Sequence, residues 1–204
     1  MPSLIATGVL EAGTQFGQYA VMSPVGRHLS SSDDVKLIAR VVDDVARTLG
    51  RMESEFKMLH KDVSYGNVVE ADGRGLLIDF HVSGPDDGKK GQMTGTAAFL
   101  AISVLHGAAH SLSSDLESLF YALIYAATDG ALHWKNADSA QASHDLKWAA
   151  MTEPLTFESK VLARCSAPLR PLVTSLRRVF FPMAGYNKAV TVAEFCKAIA
   201  EASA

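Results

Sequence analysis

The stretch from residue 59 to 81, Leu-His-Lys-Asp-Val-Ser-Tyr-Gly-Asn-Val-Val-Glu-Ala-Asp-Gly-Arg-Gly-Leu-Leu-Ile-Asp-Phe-His, constrains the chain more than any other. It reads as a polar loop, a strand, a tight turn and a second strand. Val68 and Val69 begin an apolar pair after the loop, and Asp72-Gly73 is a two-residue hairpin signal. Gly75, just beyond the turn, would allow a bulge. Leu76-Leu77-Ile78 is a short apolar run that ends in Asp79. A hairpin of this kind brings Asp62, Asn67 and Asp79 to one place. Two carboxylates and an amide carbonyl are hard oxygen donors, a set that suits magnesium, which keeps several waters and binds phosphates. One carboxylate can stay off the metal and orient an attacking hydroxyl.

The remaining sequence predicts one domain. Its 204 residues lie within the range of a single domain. A net charge of −3 with 20% charged residues and no basic stripe argues against nucleic acid as a partner. No apolar run approaches the roughly 18 residues that a membrane helix requires, so no membrane span is expected. Residues 1–7 lack the charged start and long apolar core of a signal peptide. Cys165 and Cys196 are far apart in helix-like stretches and are expected as reduced thiols in or near the core of a cytoplasmic or nuclear protein.

In chain order, residues 3–10 and 18–22 read as strands, with 11–14 as the loop between them and a turn at 23–26. Ser31 and Asp34 form a capping-box pattern. Behind it Val35, Ile38, Val42, Val45, Leu49 and Phe56 share one helical face, predicting a helix that runs to about Met58. Residues 82–96 are polar and glycine-rich and end in Thr94-Gly95-Thr96; the apolar stretch 97–105 follows. Residues 115–124 are almost all apolar and predict a buried helix. Helical periodicity recurs over 133–150, 155–165, 169–181 and 191–203, the last opening with a Thr191/Glu194 capping box. The expected fold class is mainly α with short β-hairpins, an α+β domain.

The order His-x-Asp, four residues, Asn, a hairpin, then Asp-Phe is similar to the catalytic loop and metal motif of protein kinases. Residues 19–29 (Tyr-Ala-Val-Met-Ser-Pro-Val-Gly-Arg-His-Leu), Thr94-Gly-Thr-Ala-Ala-Phe-Leu-Ala-Ile and Ser114-Asp-Leu-Glu-Ser-Leu-Phe-Tyr-Ala-Leu resemble the fungal-type protein kinase family, and the likeness extends over essentially the whole chain. That resemblance implies a protein kinase-like large (C-terminal) lobe over 23–204, with the last small-lobe strands and the hinge at 1–22. It implies ATP and Mg2+ as cofactors. Asp62 would be the catalytic-loop aspartate, Asn67 the ligand of a second metal and Asp79 a metal and nucleotide ligand. Val21 and Met22 would approach the hinge that pairs with adenine. His60 and Asp115 would support the loop from inside, Asp115 also being readable as a helix N-cap after Ser114. Thr94 and Thr96 would be activation-loop phosphorylation sites.

Departures from the kinase pattern are equally legible. No Gly-x-Gly-x-x-Gly occurs, and the strand lysine and helix glutamate that hold the phosphates are not found upstream of the first strands. ATP binding by the chain alone is therefore expected to be weak, roughly millimolar. His81 follows Asp79-Phe80 in place of glycine, Lys61 replaces arginine, and Ser64 stands where many such kinases carry lysine. Ser103 replaces the glutamate of an Ala-Pro-Glu-like motif, which would leave an arginine among Arg164, Arg170 and Arg177 unpaired. Three readings stay open: a serine/threonine phosphotransferase lobe, a kinase-derived binding module without turnover, and a small-molecule phosphotransferase. A protein substrate or partner is expected, one that could cover the open strand edge at the hinge.

Overall fold

The computed structural model describes residues 3–12, 15–91, 93–183 and 185–203, with backbone alone at 4, 10–12 and 15–20. β1 (Ser3–Ala12) and β2 (Gln15–Ser23) form an antiparallel hairpin, with Met22 opposite Leu4 and a register shift between Leu4 and Ala6. Glu11 and Ala12, expected in the loop, belong to β1; positions 13 and 14 of that loop lie outside the described residues. Beyond β2, Arg27 exchanges both backbone hydrogen bonds with Glu70, at 2.8 and 2.7 Å, which fastens this part of the chain to the central hairpin.

α1 (Val35–Phe56) buries Ile38, Val41, Val42, Val45 and Leu49, the face its periodicity predicts. The Ser31/Asp34 box does not form. Asp34 caps alone, accepting from the Lys36 and Leu37 N–H groups, while Asp33 takes the Ser30 N–H and an ion pair from Arg27. The helix stops two residues early. Lys57 turns left-handed at φ 54° and its N–H bonds back to Glu53, closing the last turn. Met58 and Leu59 thereby leave the helix as β3 (Met58–Leu59) and lead straight into the polar loop.

β4 (Val68–Ala71) and β5 (Arg74–Leu77) pair antiparallel across Asp72 and Gly73, both left-handed as a two-residue hairpin turn demands. The bulge expected at Gly75 is absent, because Gly75 pairs with Glu70 in unbroken register. Its glycine has a different cause. A Cβ there would lie 2.2 Å from the Val41 carbonyl oxygen, so the missing side chain is what lets the hairpin lie directly on α1. Asp44 of α1 clips the same spot, accepting from Arg74 at 2.8 and 2.9 Å and from the Gly75 N–H at 3.0 Å. β6 (Gly84–Pro85) then pairs with β3.

The rest is helical: α2 (Ile102–Leu105), α3 (Leu112–Ala127), α4 (Ala140–Thr152), α5 (Pro154–Phe157), α6 (Arg170–Phe180) and α7 (Val192–Ser203). α3 is buried on nearly every side and forms the axis of the core, with α1 and α6 packed against it and α7 packed on α1 and α6. Phe120 of α3 stacks on Phe180 of α6 at 5.8 Å, and Phe180 meets Phe195 of α7 edge-on at 6.0 Å. Ser111 and Ser114 cap α3 reciprocally, so Asp115 is not an N-cap but a residue of the first turn pointed inward. The predicted helix 155–165 breaks into α5 and a wider π turn at Glu158–Leu162, and the expected 133–150 begins only at Ala140. The Thr191/Glu194 box forms as predicted. Cys165 and Cys196 are buried free thiols. No helix among the described residues is long and apolar enough to cross a membrane. The fold class is as expected, mainly helical with small two-stranded antiparallel sheets.

Gly75→Ala should destabilise the chain by about 1–3 kcal/mol, because backbone and not a flexible side chain occupies the space. Urea denaturation measures this, and an unchanged midpoint would show that the hairpin does not depend on so close an approach.

Candidate active site

Leu59 ends β3, and the next three residues turn sharply through the core edge. The buried Asp115 carboxylate holds that turn, accepting the His60 N–H at 2.8 Å on Oδ2 and the Lys61 N–H at 3.1 Å on Oδ1. Lys61 sits at φ 66°, a left-handed conformation that a lysine adopts at a cost of about 1–3 kcal/mol unless its surroundings impose it. The His60 ring is buried, and that burial pushes its pKa down, favouring the neutral imidazole. Nδ1 accepts the Asp62 N–H at 3.3 Å, which leaves Nε2 to donate to the Ile78 carbonyl at 3.2 Å. His60 is thus a spacer between the loop carrying Asp62 and the strand end carrying Asp79.

Asn67 makes the same connection from the other side. Its Nδ2 donates to the Asp62 carbonyl at 2.8 Å and, more weakly, to Asp62 Oδ2 at 3.4 Å. Its backbone carbonyl accepts the Ile78 N–H at 3.0 Å. The residue before Asp79 is therefore held by both His60 and Asn67. Asp79 has φ 65°, and the Phe80 ring packs edge-on against His60 at 5.2 Å.

Two contacts in the site have no simple sequence signal. Asp62 Oδ1 accepts both the N–H and the hydroxyl of Thr96, each at 2.8 Å. Gly95 permits this closure: at φ 110°, a Cβ would stand 2.4 Å from the Lys61 carbonyl oxygen. Asp79 Oδ1, in turn, meets His81 Nδ1 at 2.5 Å in an exposed pair. Thr94 is half-buried beside this segment, and Lys61 Nζ donates to the Pro85 carbonyl at 3.0 Å. Val21, exposed, and Met22, half-buried, lie on β2 in a separate sheet, and among the described residues no hydrogen bond joins them to the Asp62 group.

Sequence reasoning also missed how the segment after Thr96 is anchored. Ser103 lacks an acid, but Glu117 of α3 supplies one, buried, accepting the Ile102 N–H at 2.9 Å, the Tyr121 hydroxyl at 2.6 Å and the Tyr186 hydroxyl. A lone glutamate inside the apolar run of α3 was the available signal. Among the described residues none of the three candidate arginines makes an ion pair, as expected, but two of them find other partners. Arg170 donates to the Cys165 carbonyl, and Arg177 donates to the Met151 carbonyl and lies over the Phe157 ring at 4.6 Å.

The residues present fit magnesium by donor chemistry. With Nδ2 committed to Asp62, Asn67 retains its amide oxygen, and Asp79 retains Oδ2 beyond His81. Among the described residues no cluster of three His, Cys, Asp or Glu side chains forms a cage. One carboxylate plus an amide is the sparse set that magnesium accepts when phosphates complete its shell.

Burial pushes the Asp115 carboxyl up to about 7, against its two N–H bonds, which favour the anion. The folded state then binds more protons than the unfolded chain between the ordinary 3.8 and about 7, so this group's contribution to stability is lost as pH rises through that window. Wild type should lose stability relative to Asp115→Asn by up to about 1.4 kcal/mol per pH unit there. Urea melts of both proteins from pH 4 to 7 measure the difference, and a constant gap would refute the assignment.

A family model described as fungal protein kinase matches residues 12–127, more than half of the chain. The dual specificity mitogen-activated protein kinase kinase mek-2 of Caenorhabditis elegans is 34% identical over 91 residues, which is 44% of this chain and 24% of that protein. The family match opens at the last residue of β1 and closes at the last residue of α3, so it contains His60, Asp62, Asn67, Asp79 and Asp115 together. With a match over that whole region, in which the Asp62 loop is braced on the central helix, the chain belongs to the fungal protein kinase family.

Proposed function

We propose that the chain carries the catalytic lobe of an ATP- and magnesium-dependent phosphotransferase acting on serine or threonine hydroxyls of a protein. The observation that carries this reading is the Asp62 carboxylate, fixed by Asn67 and Thr96 within one hydrogen-bonded group that also fixes the backbone entering Asp79. Thr96 occupies Oδ1, so Oδ2 is the oxygen left to face an acceptor hydroxyl. In the transfer, the acceptor oxygen forms a bond to the γ-phosphorus, the bond to the β–γ bridging oxygen breaks, and ADP leaves with that electron pair. Asp62 orients the hydroxyl and takes its proton as the new bond forms. Asn67 and Asp79 would hold magnesium, which when bound neutralises phosphate charge. His81 must release Asp79 Oδ1 if both carboxylate oxygens are to serve.

Asp62→Asn should lower MgATP-dependent transfer of labelled phosphate to a serine/threonine protein by about 10²- to 10⁴-fold, the usual weight of a positioned general base. MgATP binding should survive in that variant. Transfer that persists undiminished in Asp62→Asn would overturn the mechanism.

A binding role is favoured by a different observation. The β1–β2 hairpin packs mainly on itself and exposes Ile5 (65%), Val9 (58%) and Val21 (46%). Two strands alone are marginal in water, and such an edge recruits another chain. In this reading a partner protein covers the hairpin, and two buried thiols suit the reducing cytoplasm or nucleus as its setting. Sedimentation and hydrogen exchange test it. A stable monomer whose residues 3–22 are as protected as α3 would dispose of the partner.

A further inference from the structure

Lys147, on α4, is fully buried, yet among the described residues it makes no ion pair with a carboxylate. Its ammonium donates to two backbone carbonyls, Leu100 at 2.5 Å and Ala97 at 3.2 Å, and lies over the Tyr121 ring at 4.7 Å and the Trp134 ring at 5.8 Å. Trp134 Nε1 takes the carbonyl between them, Ala98, at 2.7 Å. The Thr96 carbonyl accepts the Phe99 and Leu100 N–H groups, which folds the segment into a tight turn. A cation removed from water is costly unless its donors are satisfied, and here they are satisfied by the stretch that follows Thr96. Burial lowers the Lys147 pKa to about 7, while the buried Glu117 across α3 favours its charge.

We infer that Lys147 is a positioning residue: by holding the Ala97 and Leu100 carbonyls it keeps Thr96 seated on the Asp62 carboxylate. The chain of contacts is continuous. α4 holds Ala97 and Leu100, the turn they form carries Thr96, and Thr96 donates twice to Asp62 Oδ1. Without the ammonium, two carbonyls lose their donor, and the bonds to Asp62 are left to hold the turn with Trp134 and its own backbone bonds. Asp62 would then be free to rotate, and Oδ2 would no longer be presented in one orientation. The consequence for catalysis rests on the phosphotransfer reading above; the tether itself does not.

The test compares the 204-residue chain with Lys147→Met, which keeps the length and apolar stem of the side chain and removes the buried donor. The Thr96 amide is itself a donor to Asp62, so its hydrogen exchange reports the contact directly. In the variant, exchange at Thr96, Phe99 and Leu100 should accelerate by at least about tenfold while the amides of α3 keep their protection. In transfer assays kcat should fall by roughly ten- to a hundredfold with KM for ATP unchanged, the signature of a misplaced catalytic group. Unchanged protection at Thr96 overturns the tether. Lost protection with kcat intact overturns the positioning role. If the wild type transfers no phosphate, the phosphotransfer reading fails and the exchange of Thr96 still decides the inference. Should Lys147→Met not fold, Lys147→Gln, a polar but uncharged side chain, is read on the same amides with the same expected loss.

Discussion

The loop that carries Asp62 depends on one buried carboxylate. Asp115 stands in the first turn of α3 and accepts two consecutive backbone N–H groups, from His60 and Lys61. Consecutive N–H groups point the same way only where the chain turns out of extended geometry, and Lys61 at φ 66° supplies that turn. Each N–H would cost about 1–3 kcal/mol if left buried without a partner. The carboxylate therefore selects the loop conformation, and α3, locked in the core by Leu116, Phe120 and Ile124, fixes the position of the carboxylate.

From that anchor the site is assembled by short local bonds. His60 and Asn67 each touch both the Asp62 loop and the Ile78 strand end, so Asp62 and Asp79 cannot shift independently. Neutral imidazole is required for this, since Nδ1 must accept while Nε2 donates, and burial of His60 favours that form. The segment that closes over Asp62 is held in the same manner, by Glu117 from α3, by Trp134 from the stretch before α4, and by Lys147 from α4. Buried polar groups here are nearly all satisfied; Ser143 Oγ is an exception among the described residues. Such networks specify one arrangement because each alternative leaves a group unpaired.

Much of the fold and part of the site were legible because their signals are local. The apolar stripe of α1, the Asp72-Gly73 turn and the Thr191/Glu194 box each depend on residues within a few positions of one another. The spacing of Asp62, Asn67 and Asp79 was likewise readable, since one hairpin carries all three. The helix ends were read less well. α1 stops at Lys57 because the chain is needed as a strand against β6, and no residue near Lys57 announces that pairing. Gly75 looked like a bulge because the sequence does not reveal that the Val41 carbonyl lies against it.

What the sequence alone determined is the order of residues along the chain: Asp62, Asn67 and Asp79 around one hairpin, and an apolar helix after them. What the tertiary structure decided is which groups those residues actually face. Thr96 comes to Asp62 from 34 positions away, Asp115 reaches the loop from 54 and 55 positions away, and Lys147 reaches Leu100 from 47. His81 turned out to engage Asp79. Glu117 took over the anchoring of α2 that position 103 lacks. Hydrogen bonds require partners within about 3 Å and suitable angles. Distances of that scale between residues remote in sequence are set by how the helices pack, which no local pattern encodes.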